Sequence, residues 1–279
     1  MNCVDFTRGA PLAGVFRFFK NGVPFDGDGC VRPLWGMTMR AAGSMRFRWN
    51  ETNPNRDQFL SKLCQRYGAK EVVPLELIHS KIVYRADSAA DTFNKQGDAI
   101  ITRNKNLVPV VTVADCVPLY FYDSATGAFG AAHSGWKGTG IAAEAVLAMA
   151  KNYGSKPRDI LAAIGPHIHD CCYIVDGDRA KYFADNFGSD CVQKLSQAQD
   201  SRGGQKYALS LLRANLNVLA KAGVLEENIA AAKNCTACDE RFGSFRREAA
   251  ALPDVPGQDK TRLFTTQAAF VIMEELESK

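Results

Sequence analysis

Two of the chain's four histidines fall near a cysteine in a pattern that could do chemistry. Cys116 follows Thr112-Val113-Ala114-Asp115 at the end of one apolar run. His133 closes the next such run, ahead of Gly135-Trp136-Lys137-Gly138. His79 lies upstream, after Leu77-Ile78. Two imidazoles and a thiol are donors that zinc, a borderline-soft ion, accepts, and copper takes the same set. Three protein ligands also leave a fourth position open for water or substrate. The same atoms allow chemistry without a metal, with Cys116 as thiolate nucleophile and His133 as its base. That alternative acts on an amide or a peptidoglycan precursor and gives His79 no role. Asp115 is the carboxylate expected to orient a neighbouring histidine or to accept a proton. The expected catalytic residues are thus Cys116, His133 and Asp115, and the expected metal ligands His79, Cys116 and His133.

Each of these residues also has a structural reading. A free cysteine is among the most buried residue types, and a histidine beside Leu77, Ile78 and Ile82 is more often a satisfied core residue. The set as a whole carries the argument. Around it, Trp136 offers a flat face for a ring and Lys137 a point charge for an anion. Arg40, Arg46, Arg56, Arg246 and Arg247 are candidates for gripping phosphate or carboxylate. His167 and His169 alternate and could share a face, but Gly165-Pro166 before them signals a loop. Cys235-Thr-Ala-Cys238 has the spacing of half a zinc knuckle, with no second C-x2-C to complete it. No glycine-rich phosphate loop is present.

These residues need elements to position them. Ala99–Thr102, Leu107–Ala114, Val117–Tyr122 and Ala128–His133 read as four short buried strands. Val15–Phe19, Leu34–Met39, Val72–Val83, Ile160–Ile164 and part of Leu263–Met273 read as further strands. Asn53-Pro54 starts a helix that Gly68 stops, with Phe59, Leu60, Leu63, Cys64 and Tyr67 at helical spacing. A second helix, burying Ile141, Ala145, Val146 and Met149, ends at Gly154. A third carries Leu209, Leu212, Leu216 and Leu219 and ends at Gly223. Strands following one another directly imply a mixed sheet, hence an α/β (mixed α+β) fold. With no repeat or linker, residues 1–279 are expected to form a single domain with a central mixed sheet flanked by helices.

Composition narrows the function. The chain is 46% hydrophobic and 23% charged, with a net charge of +4 and its basic residues scattered. That argues against a nucleic-acid reader. No apolar stretch is long enough to cross a membrane, and Met1–Lys20 has no signal-peptide core. Nine cysteines without a regular framework suggest free thiols in the cytoplasm.

At the level of motifs the sequence resembles the laccase-domain family, also called YfiH-like or polyphenol-oxidase-like. The resemblance rests on Gly97-Asp98-Ala99, Thr112-Val-Ala-Asp115-Cys116-Val-Pro118 and Ala132-His133-Ser-Gly135-Trp136-Lys-Gly138. Asn55-Arg56, Ile164-Gly165-Pro166, Cys171-Cys172-Tyr173, Cys235-Thr236 and Phe242-x-Ser244-x-Arg246-Arg247 support it. It implies zinc, or copper as the alternative, held by His79, Cys116 and His133. It also implies a purine nucleoside phosphorylase that deaminates adenosine and cleaves methylthioadenosine, with copper-dependent polyphenol oxidation as the older alternative. Its partners would be a purine nucleoside and phosphate, acting in a monomer or homodimer, with no nucleic acid and no membrane. Trp136, Lys137, Ser44 and Arg56 are the expected substrate contacts. Leu77-Ile78-His79-Ser80 in place of Gln-Val-His-Gly, and Lys137 in place of arginine, depart from the family pattern around those contacts.

Overall fold

The computed structural model describes residues 31–68, 71–199, 204–253, 255–256 and 259–275. Of the first thirty residues it describes only the strands Asn2–Val4, Ala13–Phe16, Phe19–Lys20 and Val23–Pro24. Residues 17 and 18, inside the strand expected over Val15–Phe19, lie outside the described set.

Seven strands form one mixed sheet and five form another. Three further strands form a small antiparallel sheet and two more a separate pair, so the fold is mixed as expected, with its strands spread over several sheets. In the seven-stranded sheet the middle strand, Val117–Asp123, pairs antiparallel with Ala128–Ser134 on one side and with Leu161–Ile164 on the other. Ala128–Ser134 pairs in turn with Ala99–Thr102. In the five-stranded sheet Gln267–Glu275 lies between Val31–Thr38 and Leu107–Val113, antiparallel to both. Glu71–Pro74 runs parallel to Leu107–Val113 at the edge.

Side-chain alternation explains how the sheets stack. Tyr120 and Tyr122 point toward the five-stranded sheet and pack with Trp35, Met37, Val111 and Val271. Leu119 and Phe121, on the opposite face, pack against Ile141, Ala145 and Met149 of helix α2 (Ile141–Tyr153). Both faces of Val117–Asp123 are covered, so all seven of its residues are buried. Helix α1 (Pro54–Tyr67) closes the outer face of the five-stranded sheet, setting Leu60, Leu63 and Cys64 against Val108, Val110 and Phe270. The order of layers is helices, sheet, sheet, helix.

The helix signals act as expected. The Asn53 side chain accepts from the Arg56 N–H, Pro54 stands at the first turn, and Gly68 and Gly154 are left-handed stops. Helix α3 (Gly177–Phe187) and the strands Val192–Gln199, Gln205–Leu209 and Ile229–Ala232 were not foreseen. Helix α4 (Leu211–Lys221) corrects one expectation. Leu209 belongs to the preceding strand, and the fully buried face is Leu211, Ala214, Asn215, Val218 and Leu219. Ser210 caps α4 by accepting from Arg213, which breaks the leucine stripe after Leu209. No described helix is long and apolar enough to cross a membrane.

Candidate metal centre

Cys116 sits at the corner where the chain leaves Leu107–Val113 in one sheet and enters Val117–Asp123 in the other. Asp115 makes that corner with a φ of 76°. His133 lies two strand positions away in space, since its register partner is Pro118. His79 does not lie in a strand. The region expected to be β-rich breaks after Pro74 and resumes at Val83, and His79 occupies the break with a φ of 58°. Left-handed backbone costs a residue with a side chain roughly 1–2 kcal/mol, so something must hold it there.

That holder is Asp98, which is fully buried. Its Oδ1 accepts from the His79 N–H at 3.0 Å and lies 2.8 Å from His133 Nδ1. Its Oδ2 accepts from the Ser80 N–H and Oγ–H, both at 2.6 Å. The Asp98 carbonyl also accepts from the His133 N–H at 2.7 Å. One carboxylate thus fixes the backbone of one histidine and the ring of the other. Burial pushes the Asp98 pKa up, but the hydrogen bonds from His133 and Ser80 outweigh it and hold the group below its usual value.

One donor atom from each of His79, Cys116 and His133 lies within 4.8 Å of the others. The two imidazoles stand nearly edge to face, with centroids 4.8 Å apart. Burial would raise the Cys116 pKa, yet the charge of His133 and hydrogen bonds to His133 and His79 bring it down to about 6. Burial would lower His133, yet the Cys116 thiolate and Asp98 raise it to about 9. The two shifts share a cause, since a thiolate and an imidazolium side by side stabilise each other.

The residues fit a metal. With Nδ1 of His133 bonded to Asp98, Nε2 is the nitrogen left for Cys116 or an ion, the carboxylate–histidine–metal arrangement that sets ring orientation. A Cβ added at Gly135 would stand 2.6 Å from His79 Cδ2 and 3.2 Å from Cys116 Sγ, so only glycine leaves this space clear. A nitrogen–nitrogen–sulfur set with one open position suits zinc or copper.

The triad forms one wall of a cavity of about 130 Å³ that also involves Phe47, Arg48, Thr112 and Phe264. This is smaller than the roughly 300 Å³ of a pocket enclosing a drug-sized ligand. The expected contacts Trp136, Lys137, Ser44 and Arg56 do not line it. Trp136 packs toward the helix-side core, with the Arg179 guanidinium 4.4 Å from its ring. Lys137 lies 5.3 Å from the same ring. Ser44 Oγ accepts from the Thr266 N–H at 3.2 Å, which ties it to the rim. Arg56 is drawn away by helix α1, lines a separate cavity and stacks 4.5 Å from Phe47.

Asp115 is also placed differently from expectation. Its carboxylate accepts from Thr236 Oγ1 at 2.6 Å, Ser244 Oγ at 3.0 Å and the Arg246 N–H at 2.6 Å. It organises the corner from behind, and the carboxylate that orients His133 belongs to Asp98. Asp98 was visible in sequence only as part of Gly97-Asp98-Ala99. Arg246 and Arg247 are taken up by backbone carbonyls of Ile174, Thr236 and Ala237. His167 is buried and held neutral near pKa 3, by burial first and by His169 second. Neither His167 nor His169 joins a metal-competent group among the described residues.

An α/β/β/α stack with an open two-histidine, one-cysteine pocket at a sheet-to-sheet corner defines the class. Residues 47–252 match the model of the family described as multi-copper polyphenol oxidoreductase laccase, and the chain belongs to that family. It is 38% identical over 161 residues to the Bacillus subtilis protein called purine nucleoside phosphorylase YlmD, covering 55% of each chain. It is 31% identical over 180 residues to a Borreliella burgdorferi protein called purine nucleoside phosphorylase, covering 64% of this chain and 75% of that one. The alignment therefore spans only about half the length of the Bacillus relative. Among solved structures, YlmD from Geobacillus stearothermophilus matches with a TM-score of 0.76 and 25% identity, over 97% of this chain and 99% of that one. The Bacillus licheniformis protein YfiH matches at 0.71 and 26%, over 86% and 92%.

Proposed function

We propose that this chain is a zinc-dependent purine nucleoside phosphorylase that also deaminates adenosine and cleaves methylthioadenosine. The convergence of His79, Cys116 and His133 on one cavity wall carries the reading, and the names of the relatives supply the substrate class. Cys116 Sγ and the two imidazoles would hold the ion, with Asp98 fixing both histidines. When bound, zinc supplies Lewis acidity that polarises a substrate oxygen or a water.

The chain's own groups then divide the substrate. The cavity admits a ring rather than a whole nucleoside, so the purine would enter and the ribose and phosphate would stay at the rim. Phe47 and Phe264, in place of Trp136, are the aromatic side chains the cavity offers to the base. Arg46 is already paired with Glu51 at 3.0 Å and Asp259 at 2.8 Å. Among the described residues Arg48 meets Glu76 at 3.8 Å and the Leu77 carbonyl at 3.3 Å, a looser hold than that on Arg46, so it is the better cation for phosphate. In phosphorolysis a phosphate oxygen bonds to the anomeric carbon as the bond to the purine breaks. Free thiols such as Cys116 fit a reducing compartment such as the cytoplasm.

The test is to incubate zinc-loaded protein with inosine or adenosine and phosphate. Free base together with ribose 1-phosphate is expected, and inosine formed from adenosine would report deamination. Absence of both products overturns the reading. The Cys116–His133 pair with Asp98 behind it favours a second reading, a metal-free cysteine hydrolase. A His79→Ala variant that keeps full activity while Cys116→Ala loses it would select that reading. Copper oxidase chemistry is the third, and four histidines are too few for a multicopper centre; one equivalent of copper with a visible thiolate band would revive it.

A further inference from the structure

A second group of metal-competent side chains lies outside this cavity. Cys171 and Cys172 sit in the turn after His169, and Cys235 and Cys238 bracket Thr236-Ala237. Their four sulfurs all lie within 4.8 Å of one another. Cys171 stands 3.8 Å from Cys172, 3.7 Å from Cys235 and 3.7 Å from Cys238, and Cys172 stands 3.2 Å from Cys238. Four sulfurs each bonded to one zinc at about 2.3 Å define a tetrahedron with edges of roughly 3.8 Å. The Cys171 sulfur therefore already stands at tetrahedral spacing from all three others.

We infer that Cys171, Cys172, Cys235 and Cys238 form a closed, mononuclear zinc tetrathiolate site that staples the turn at 169–173 to the loop at 235–238. Two separate disulfides would not require Cys171 to stand equally close to three sulfurs. An iron–sulfur cluster spreads its thiolates over different irons and needs a wider cage.

The backbone prepares the site. The Cys172 and Tyr173 N–H groups both donate to the His169 carbonyl, at 3.0 and 2.8 Å, which closes the turn. The Thr236 N–H donates to the His167 carbonyl at 3.0 Å, and His167 and Cys235 form a parallel bridge that holds the two loops together. The His169 N–H donates to Cys235 Sγ at 3.3 Å, the kind of bond that favours a thiolate. Cys235 is buried while Cys171 and Cys238 are exposed, so an ion has a route in from solvent. None of the four lines the triad cavity. All four ligand positions are protein sulfurs, which marks a structural rather than a catalytic ion. Its effect would still reach the triad, because Thr236, inside the stapled loop, bonds Asp115 next to Cys116.

The experiment is metal analysis of the full-length protein purified under reducing conditions, alongside Cys116→Ser and the double variant Cys171→Ser/Cys238→Ser. One equivalent of zinc is expected to remain in Cys116→Ser and to be lost from the double variant. Cobalt(II) loaded into stripped Cys116→Ser should give the intense sulfur-to-metal bands of a tetrathiolate, which counts ligands without any activity assay. The double substitution is at exposed positions, and circular dichroism checks its fold; if it does not fold, the cobalt spectrum of Cys116→Ser decides. A metal content unchanged by the double substitution would overturn the inference. So would disulfides among these four cysteines in protein as purified, iron with inorganic sulfide, or a Cys116→Ser variant without a tetrathiolate cobalt spectrum.

Discussion

Cys116 stands between two imidazoles with Asp98 behind one of them, whereas Cys171, Cys172, Cys235 and Cys238 face chiefly one another. The surroundings set opposite proton states. His133 and His79 overcome burial and bring Cys116 down to about 6. Partial burial and then the neighbouring thiols push Cys171 up to about 11 and raise Cys172 as well. Cys235 is lowered instead, burial being outweighed by backbone N–H groups of His169, Cys238 and Ala237. The triad offers a thiolate at neutral pH, has to give up only the proton that His133 holds, and keeps a ligand position free. The four-sulfur group must give up protons to whatever binds it, and afterwards has no position left. An ion can be exposed to substrate at the first site and only hold loops together at the second.

The largest effect that would break this contrast is at Cys116. Cys116→Ser should remove triad metal and reduce turnover by more than the roughly 100-fold that loss of an outer-shell partner costs, while the tetrathiolate metal stays. Equal metal loss from both sites would show that they are one cooperative unit. Next comes Asp98→Asn. It removes the charge that steadies both histidines, and triad metal affinity should fall about 10–100-fold, read by competition with a chelator. An unchanged affinity would mean that Asp98 serves the backbone alone.

Gly135→Ala should displace His79, because the new Cβ would stand 2.6 Å from its ring. The expected outcome is weaker metal binding with the sheet core intact, since strain in a packed site costs about 1–3 kcal/mol; metal titration and thermal melting separate the two. The smallest effect sharpens the proton contrast directly. In stripped protein, alkylation of Cys116 should be half-maximal near pH 6, falling off below as the thiolate takes up a proton, and Cys171 should need a pH near 11. Mass mapping of the two peptides reads both at once, and equal rates at neutral pH would remove the difference.

Much of this protein could be read locally. The four strands that flank Cys116 and His133 were legible because short apolar runs between turn residues report burial on both faces. The ends of α1 and α2 were legible because Asn53, Gly68 and Gly154 act within a few residues of the helix they bound. The triad was legible because histidine is rare in this chain and cysteine and histidine share a preference for soft ions. The backbone of His79 was not legible, since a left-handed residue inside an apolar stretch leaves no mark on periodicity.

The sequence by itself determined the donors, the principal strands and the helix caps, all of which follow from residue type and spacing over a dozen positions or fewer. Only the tertiary structure decided what those donors face. Asp98 reaches His133 across 35 residues of chain, Thr236 reaches Asp115 across 121, and Cys171 meets Cys238 across 67. Hydrogen bonds and sulfur cages of that kind depend on how two sheets stack and where their corners fall. Stacking is set by the summed burial of many side chains, and no short motif records which distant loop it brings alongside.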